Sequence, residues 1–375
     1  MKLKKNLLGL AIAMLPLSIA SAQDLGEIGP SPYEFITDSW MQPFADEGFT
    51  WGGNSSVLVE SEDRIFVVQR GETELPSPLP AEYTTFAGSM GWNVLRGRGR
   101  VWQNCIYVID SDGNLLEVWN HWDHLFMGTE GAGPHKIRMS PYDPEKRLWL
   151  VDESGHIIYV LSNDGTQLLM TLGEKNVSGN DETHFSQPQD VAFLPDGKIL
   201  IADGLGNKRI VVRDSQGKYL SEFGEAGTAP HQFQSVHSMA LGPDEKLYVV
   251  DRDARDIKVF RQTAPRDSAS YPAFVYDSTW PGLGMALDIT VTEDATWVTD
   301  LNPPKLIKFN LDGSRDYTFL LPTEGADMWI EMHSLSVDDD GNLYGTDNQA
   351  GRPQKLVPKP DADPSHLVGK PYIPQ

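Results

Sequence analysis

The chain has one cysteine, Cys105, which excludes any disulfide within it. It is also short of positive charge. Its 31 lysines and arginines stand against 53 aspartates and glutamates, for a formal net charge of −22. Nucleic acids and anionic membranes bind through lysine and arginine set against phosphate, so this balance argues against both as partners. The single basic run, "RGRGR" at 96–100, reads as a solvated loop. Beyond the first 22 residues no apolar run approaches the length of a membrane span. Helical periodicity is scarce as well. Histidine is sparse, with nine in 375 residues, so its placement carries information.

The first 22 residues read as a transport signal. "MKLKK" is a basic start, "NLLGLAIAMLPLSIA" is the apolar stretch, and Ala20-Ser21-Ala22 is a small-residue cleavage site. The expectation is an exported protein, periplasmic or secreted, cleaved after Ala22. Cys105 lies in the strand-like "NCIYVID" and reads as buried packing. Without disulfides, stability must come from a core, and the chain is long enough to build one.

What the sequence does contain is a run of short Val, Ile, Leu, Tyr and Trp segments of alternating polarity. They are separated by turns such as "SDGN", "NDGT", "PDGK", "SQGK", "LDGS" and "DDGN", the signature of antiparallel hairpins. The hairpins share a frame. "PQDVAFLPDGKILIAD" (188–203), "VHSMALGPDEKLYVVD" (236–251) and "MHSLSVDDDGNLYGTD" (332–347) align without gaps. "PHKIRMSPYDPEKRLWLVD" (134–152), "MALDITVTEDATWVTD" (285–300) and "NSSVLVESEDRIFVVQR" (54–70) fit more loosely. Recurrence at about fifty residues predicts an all-β, six-bladed β-propeller with four antiparallel strands per blade. The expected organisation is a signal at 1–22, a linker at 23–34, the propeller at 35–358 and a Pro-rich tail at 359–375.

The second residue of the frame, read around the ring, is Ser55, His135, Gln189, His237, Ala286 and His333. Histidine occupies every second blade. Alternate blades of a six-bladed ring are related by about 120°, so these side chains should converge on the central channel. Three imidazoles with an open fourth direction form the ligand set of a catalytic zinc site. Nitrogen ligands alone favour zinc, although nickel, iron and copper also accept them.

"FSQPQDVAFLPDGKILIADGLGNKRIVV", "FQSVHSMALGPDEKLYVVDR" and "MHSLSVDDDGNLYGTD" resemble the NHL-repeat propeller of the peptidyl-α-hydroxyglycine α-amidating lyases. The resemblance runs over most of the chain from "WGGNSSVLVESEDRIFVVQRG" onward. It implies an axial zinc on His135, His237 and His333. It also implies two substrate-binding arginines, which fall on Arg70 and Arg252. The repeat frame puts both at the same position, in blades one and four. Guanidinium forks there suit a carboxylate-bearing substrate.

Three positions depart from the family pattern. Leu205 in "ADGLGNKR" stands where the resemblance implies a catalytic tyrosine, and leucine can be neither base nor ligand. Glu331 stands where the pattern has methionine, two residues before His333. It can replace the missing base, coordinate metal, or be a solvated loop carboxylate. Ser334 stands where an acidic residue would help hold a structural calcium, together with backbone carbonyls that include Ile137. That substitution argues against calcium.

The loop "WNHWDHLF" (119–126) carries His121 and His124 beside Trp119, Trp122 and Phe126. It reads as packing or as a wall of the channel mouth. The expected function is a zinc-dependent lyase or hydrolase acting on a small-molecule or peptide substrate bearing a carboxylate or an amide. The alternative is a non-catalytic NHL propeller that binds a ligand or a protein.

Overall fold

The computed structural model describes residues 27–36, 40–41, 45–78, 99–263, 274–325 and 327–374. The transport signal at 1–22 and residues 96–98 of the basic run lie outside the described residues. Nearly all the regular structure is strand. The turn glycines of the six hairpin signals, Gly113, Gly165, Gly197, Gly217, Gly313 and Gly341, all have φ between +71° and +88°. Only glycine adopts that region without strain, which is why the dipeptides mark the turns so reliably.

Among the described residues the hairpins assemble into six blades of four antiparallel strands, one of them extended by a parallel fifth strand. A small three-stranded sheet (Phe49–Trp51, Glu72–Glu74, Arg100–Val101) stands apart from them. Their inner strands are Asn54–Ser61, Pro134–Met139, Asp190–Phe193, Val236–Leu241, Asp288–Val291 and Met332–Val337. Each inner strand touches the next, and the sixth touches the first, so the sheets form a closed β-propeller. Six apolar clusters fill the spaces between neighbouring blades. One joins Phe66, Cys105 and Ile106 of blade one to Ile137, Leu150 and Tyr159 of blade two, with Cys105 fully buried. Another joins Tyr344 of blade six to Val57, Ile65 and Tyr107 of blade one, across the closure. Each blade thereby buries both faces, which no blade can do alone.

The stretch expected to be a linker, 23–34, is partly strand. Glu27–Gly29 pairs in parallel with Arg315–Leu320 at the edge of blade five. Tyr33–Ile36 pairs antiparallel with Arg352–Pro358 and supplies the outermost strand of blade six. A strand from the start of the chain therefore completes the last blade, a long-range pairing that no local pattern reveals. The tail beyond Pro358 crosses the mouth of the channel where the inner strands end. His366 stacks on Tyr317, Tyr372 N–H donates to the Val291 carbonyl, and Tyr142 Oη donates to the Pro374 carbonyl. Under it lies a cavity of about 380 Å³ lined by the ends of all six inner strands.

In blades three to six the closing aspartate of the repeat is a clamp, whereas blade one closes on Gln69. Asp203 accepts from Ser186 N, Asp251 from Gln234 N and Ser235 N, Asp300 from Gly284 N and Met285 N, and Asp347 from Ile330 N and Glu331 N. Each carboxylate satisfies backbone donors that have no ladder partner, just where the chain enters an inner strand. In blade two Asp152 instead accepts from Gly155 N. There the entering chain is held by Ser154 Oγ, which accepts from Ala132 N and Gly133 N. The clamps fix the start of the inner strands, where the histidines stand.

Candidate metal centre

In blades two, four and six, as at Ser55 in blade one, the ladder slips by one residue at the start of the inner strand. Pro134 pairs with Asp152 and Lys136 with Val151, leaving His135 as the extra residue of a bulge. His237 and His333 are the extra residues of matching slips. A bulge re-aims the side chain it inserts, and here it turns three histidines toward the axis. Gly133, at φ +84°, completes the approach to His135: a Cβ there would lie 2.1 Å from the Trp102 ring.

The three ligand nitrogens lie within 4.8 Å of one another, and ring centroids are 4.7 to 5.2 Å apart. All three side chains are buried. Each Nδ1 is held by a carbonyl of the next blade: His135 by Gln189 O at 2.7 Å, His237 by Leu287 O at 2.6 Å, and His333 by Ser55 O at 2.6 Å. An Nδ1–H donated to a carbonyl fixes the tautomer and leaves the Nε2 lone pair facing the axis. The blades without histidine thus hold those with it. In blade five the holding residue is Leu287, not the Ala286 expected from the repeat frame, because that hairpin turn is one residue shorter than in blade three.

Burial pushes the pKa of each imidazole well below its ordinary value. Neighbouring imidazoles, Arg70 and Lys136 act in the same direction on His135, and Arg252 on His237. On His333 the further depression comes from Lys136 and Arg70. Neutral imidazoles are what a metal requires. Three convergent nitrogens, buried, neutral and oriented from behind, fit a divalent metal such as zinc. Among the described residues this is the one group of three or more His, Cys, Asp or Glu able to hold a metal ion.

Arg70 is buried beside this centre, with Nη1 3.7 Å from Glu153 Oε2. Its Nε is buried without a hydrogen-bond partner among the described residues. Arg252 is more exposed, and its Nε bonds Asp253 Oδ1 at 2.9 Å. Glu331 is half-buried and clamped: Asn348 Nδ2 donates to Oε1 at 3.0 Å and Gln349 Nε2 to Oε2 at 2.6 Å. Burial raises the Glu331 pKa, against the pull of those two amides and Arg70. Leu205 brings no polar side chain, and its backbone N–H is spent on Gln187 O.

Glu153 was not visible as a site residue in the sequence. Its Oε2 lies 4.0 Å from His135 Nε2 as well as close to Arg70. A signal for it existed. Glu153 follows the closing Asp of blade two, the same frame position as Arg70 and Arg252, and around the ring that position reads Arg70, Glu153, Gly204, Arg252, Leu301 and Asn348.

The loop at 119–126 forms a 3-10 helix over Asn120–Leu125. Trp119 and Phe126 join the core between blades one and two, and Asp123 accepts from Asn104 N and Cys105 N. His121 Nε2 meets Gly165 O and His124 Nδ1 meets His121 O, so neither joins the axial cluster.

Fold and site together define an NHL-type β-propeller with a three-histidine centre on its axis. The NHL repeat family matches residues 185–212. The Caenorhabditis elegans protein named "Probable peptidyl-alpha-hydroxyglycine alpha-amidating lyase" is 32% identical over 250 residues, covering 62% of this chain and 68% of that protein. The chain belongs to the peptidyl-α-hydroxyglycine α-amidating lyase family. Peptidylglycine alpha-amidating monooxygenase of Rattus norvegicus is 33% identical over 219 residues, or 56% of this chain, which spans about a fifth (21%) of that longer protein. Among solved structures, a virginiamycin B lyase from Staphylococcus aureus aligns over 88% of this chain and 90% of its own, with a TM-score of 0.50 and 13% identity. At that identity the likeness is one of fold alone.

Proposed function

We propose that this chain is an exported, metal-dependent lyase that cleaves the C–N bond of an α-hydroxyglycine amide, releasing the amide and glyoxylate. The observation that carries the reading is the axial set His135, His237 and His333, each oriented by a carbonyl of the neighbouring blade. Bound there, zinc would supply a Lewis acid for the substrate's hydroxyl oxygen. Arg70, buried and with an unused Nε, would hold the substrate carboxylate in a low-dielectric wall. Arg252, nearer solvent, would guide the same anion at the mouth.

With leucine in place of the family's tyrosine, the hydroxyl proton needs another acceptor. Glu153 meets the geometric requirement best. It reaches within 4.0 Å of His135 Nε2 and 3.7 Å of Arg70. The carbinol O–H would give its proton to Glu153 as the C–N bond breaks, and the departing amide nitrogen would take a proton in return. Glu331, with both oxygens engaged by Asn348 and Gln349, would serve to shape the Arg70 side of the pocket.

The test pairs elemental analysis with turnover of an α-hydroxyglycine peptide, in the wild type and His237→Ala. About one zinc per chain with amide release, both lost in the variant, is the expected result. Zinc without amide release would keep the metal centre and overturn the substrate. Neither zinc nor turnover would leave the non-catalytic propeller, the reading that Leu205 favours.

A further inference from the structure

One step deeper in the channel, the chemistry changes from neutral to charged. The residues that follow the axial position around the ring are Ser56, Lys136, Asp190, Ser238, Asp288 and Ser334, and all six are fully buried. Lys136 crosses the channel from blade two to blade five, placing Nζ 2.9 Å from Asp288 Oδ1 and 3.5 Å from the His333 carbonyl oxygen. Arg138 grips Asp190 with Nε at 2.8 Å and Nη2 at 2.9 Å, and its Nη2 also reaches Asp288 Oδ1 at 3.1 Å. Ser238 Oγ lies 2.9 Å from Asp190 Oδ2 and 2.8 Å from Asp288 Oδ1. Met239 N–H donates to Asp190, and Leu335 N–H donates to Asp288 Oδ2. Two cations balance two carboxylates, with backbone and hydroxyl donors on the remaining lone pairs.

Calcium, which the family resemblance implies for this part of the channel, needs about six to eight oxygens at roughly 2.3–2.6 Å. The residues present do not fit it. Ser334 offers a neutral hydroxyl, 3.5 Å from Ser56 Oγ. The two carboxylates are already engaged by the ammonium and the guanidinium. A divalent ion placed among them would lie beside the fully buried Lys136 ammonium and the half-buried Arg138 guanidinium, where repulsion is screened less than at the surface.

We infer that the Lys136 ammonium is the channel's own cation: it occupies the electrostatic role of a structural calcium by pairing with Asp288 and the His333 carbonyl, and the propeller axis is independent of calcium. The same contact ties the lower layer to the backbone of a metal-ligating residue. A cation carried by a side chain cannot be lost to dilution or chelation, unlike a bound ion.

The experiment is calcium uptake by the zinc-loaded wild type, dialysed against calcium at about 1 mM, the range to which extracellular calcium modules respond. Calcium well below one per chain, with an unfolding temperature that calcium does not move, is expected. One calcium per chain, or an unfolding temperature that climbs with calcium, overturns the inference whether or not the protein is an active lyase. The paired change Lys136→Ala with Ser334→Asp should convert the layer to a calcium site, with calcium raising the unfolding temperature by several degrees. A folded double variant that ignores calcium also counts against the inference. If that variant does not fold, the wild-type uptake decides alone.

Discussion

Two layers of one channel, a single residue apart in sequence, solve opposite problems. The histidine layer is built to stay neutral and to leave lone pairs facing the axis. Its Nδ1 atoms are spent on carbonyls, and burial depresses its pKa values. The layer beneath is built to stay charged. Burial alone would raise the Asp288 carboxyl, but Lys136 and Arg138 hold it well below the usual carboxylate range. Arg138 is held above its ordinary value against its own burial by Asp190 and Asp288. Burial instead lowers the Lys136 pKa against the pull of Asp288 and Asp190, and its 2.9 Å contact with Asp288 is what keeps the pair ionic. The lesson is that burial does not decide protonation by itself. A group whose partners are carbonyls and other imidazoles stays neutral, whereas one whose partners are opposite charges stays ionised.

The largest effect that separates the layers is catalytic. Glu153→Gln should lower turnover about 10²–10⁴-fold while leaving zinc content unchanged, because it removes a proton acceptor and no ligand. Glu331→Gln should change turnover far less. Turnover lost in Glu331→Gln and kept in Glu153→Gln would move the acceptor to Glu331. Asp288→Asn should leave Lys136 and Arg138 short of a buried partner and cost about 3–5 kcal/mol, read from denaturant unfolding. A loss close to that of an exposed ion pair would mean the ionic layer is a minor contributor.

The two layers should also fail in different pH windows. The histidines of the metal-free protein have folded pKa values below their unfolded value. Their contribution is therefore present above about pH 6.5 and is lost as pH falls from there through the depressed folded values. Asp288 is depressed relative to the unfolded carboxylate, so its contribution is present above about pH 3.9 and is lost only as pH falls further. Thermal unfolding of apo-protein across pH should show the histidine loss first, and zinc should postpone it. A flat unfolding temperature between pH 7 and about pH 5 would contradict the neutral-histidine layer. Smallest of all, Ser238→Ala should cost about 1–2 kcal/mol, since one hydroxyl serves two carboxylates that keep their cations.

Much of this was legible in the chain itself. The turn glycines, the alternating strands and the fifty-residue frame require hairpins in series, and the alternation of His135, His237 and His333 points to a shared axis. These are local signals, set by backbone sterics and by side-chain period. The frame failed by one residue in blade five because a shortened turn shifts the equivalence from Ala286 to Leu287, and nothing local marks a turn as short. Glu153 shares the frame position of Arg70 and Arg252, but carboxylates are common in so acidic a chain, and proximity to His135 and Arg70 is what gives this one its role.

The sequence alone determined that the chain would form repeated hairpins with histidine in every other one, since turn chemistry and residue period act over a few residues. Tertiary structure decided the rest. The bulges that turn the histidines inward depend on pairing with a second strand. The carbonyls that orient them come from the next blade. Lys136 meets Asp288 only because the ring closes and sets blade two across from blade five. The closing strand is Tyr33–Ile36, more than three hundred residues from its partner Arg352–Pro358. Distance along the chain carries no pattern, so those contacts exist only once the propeller has formed.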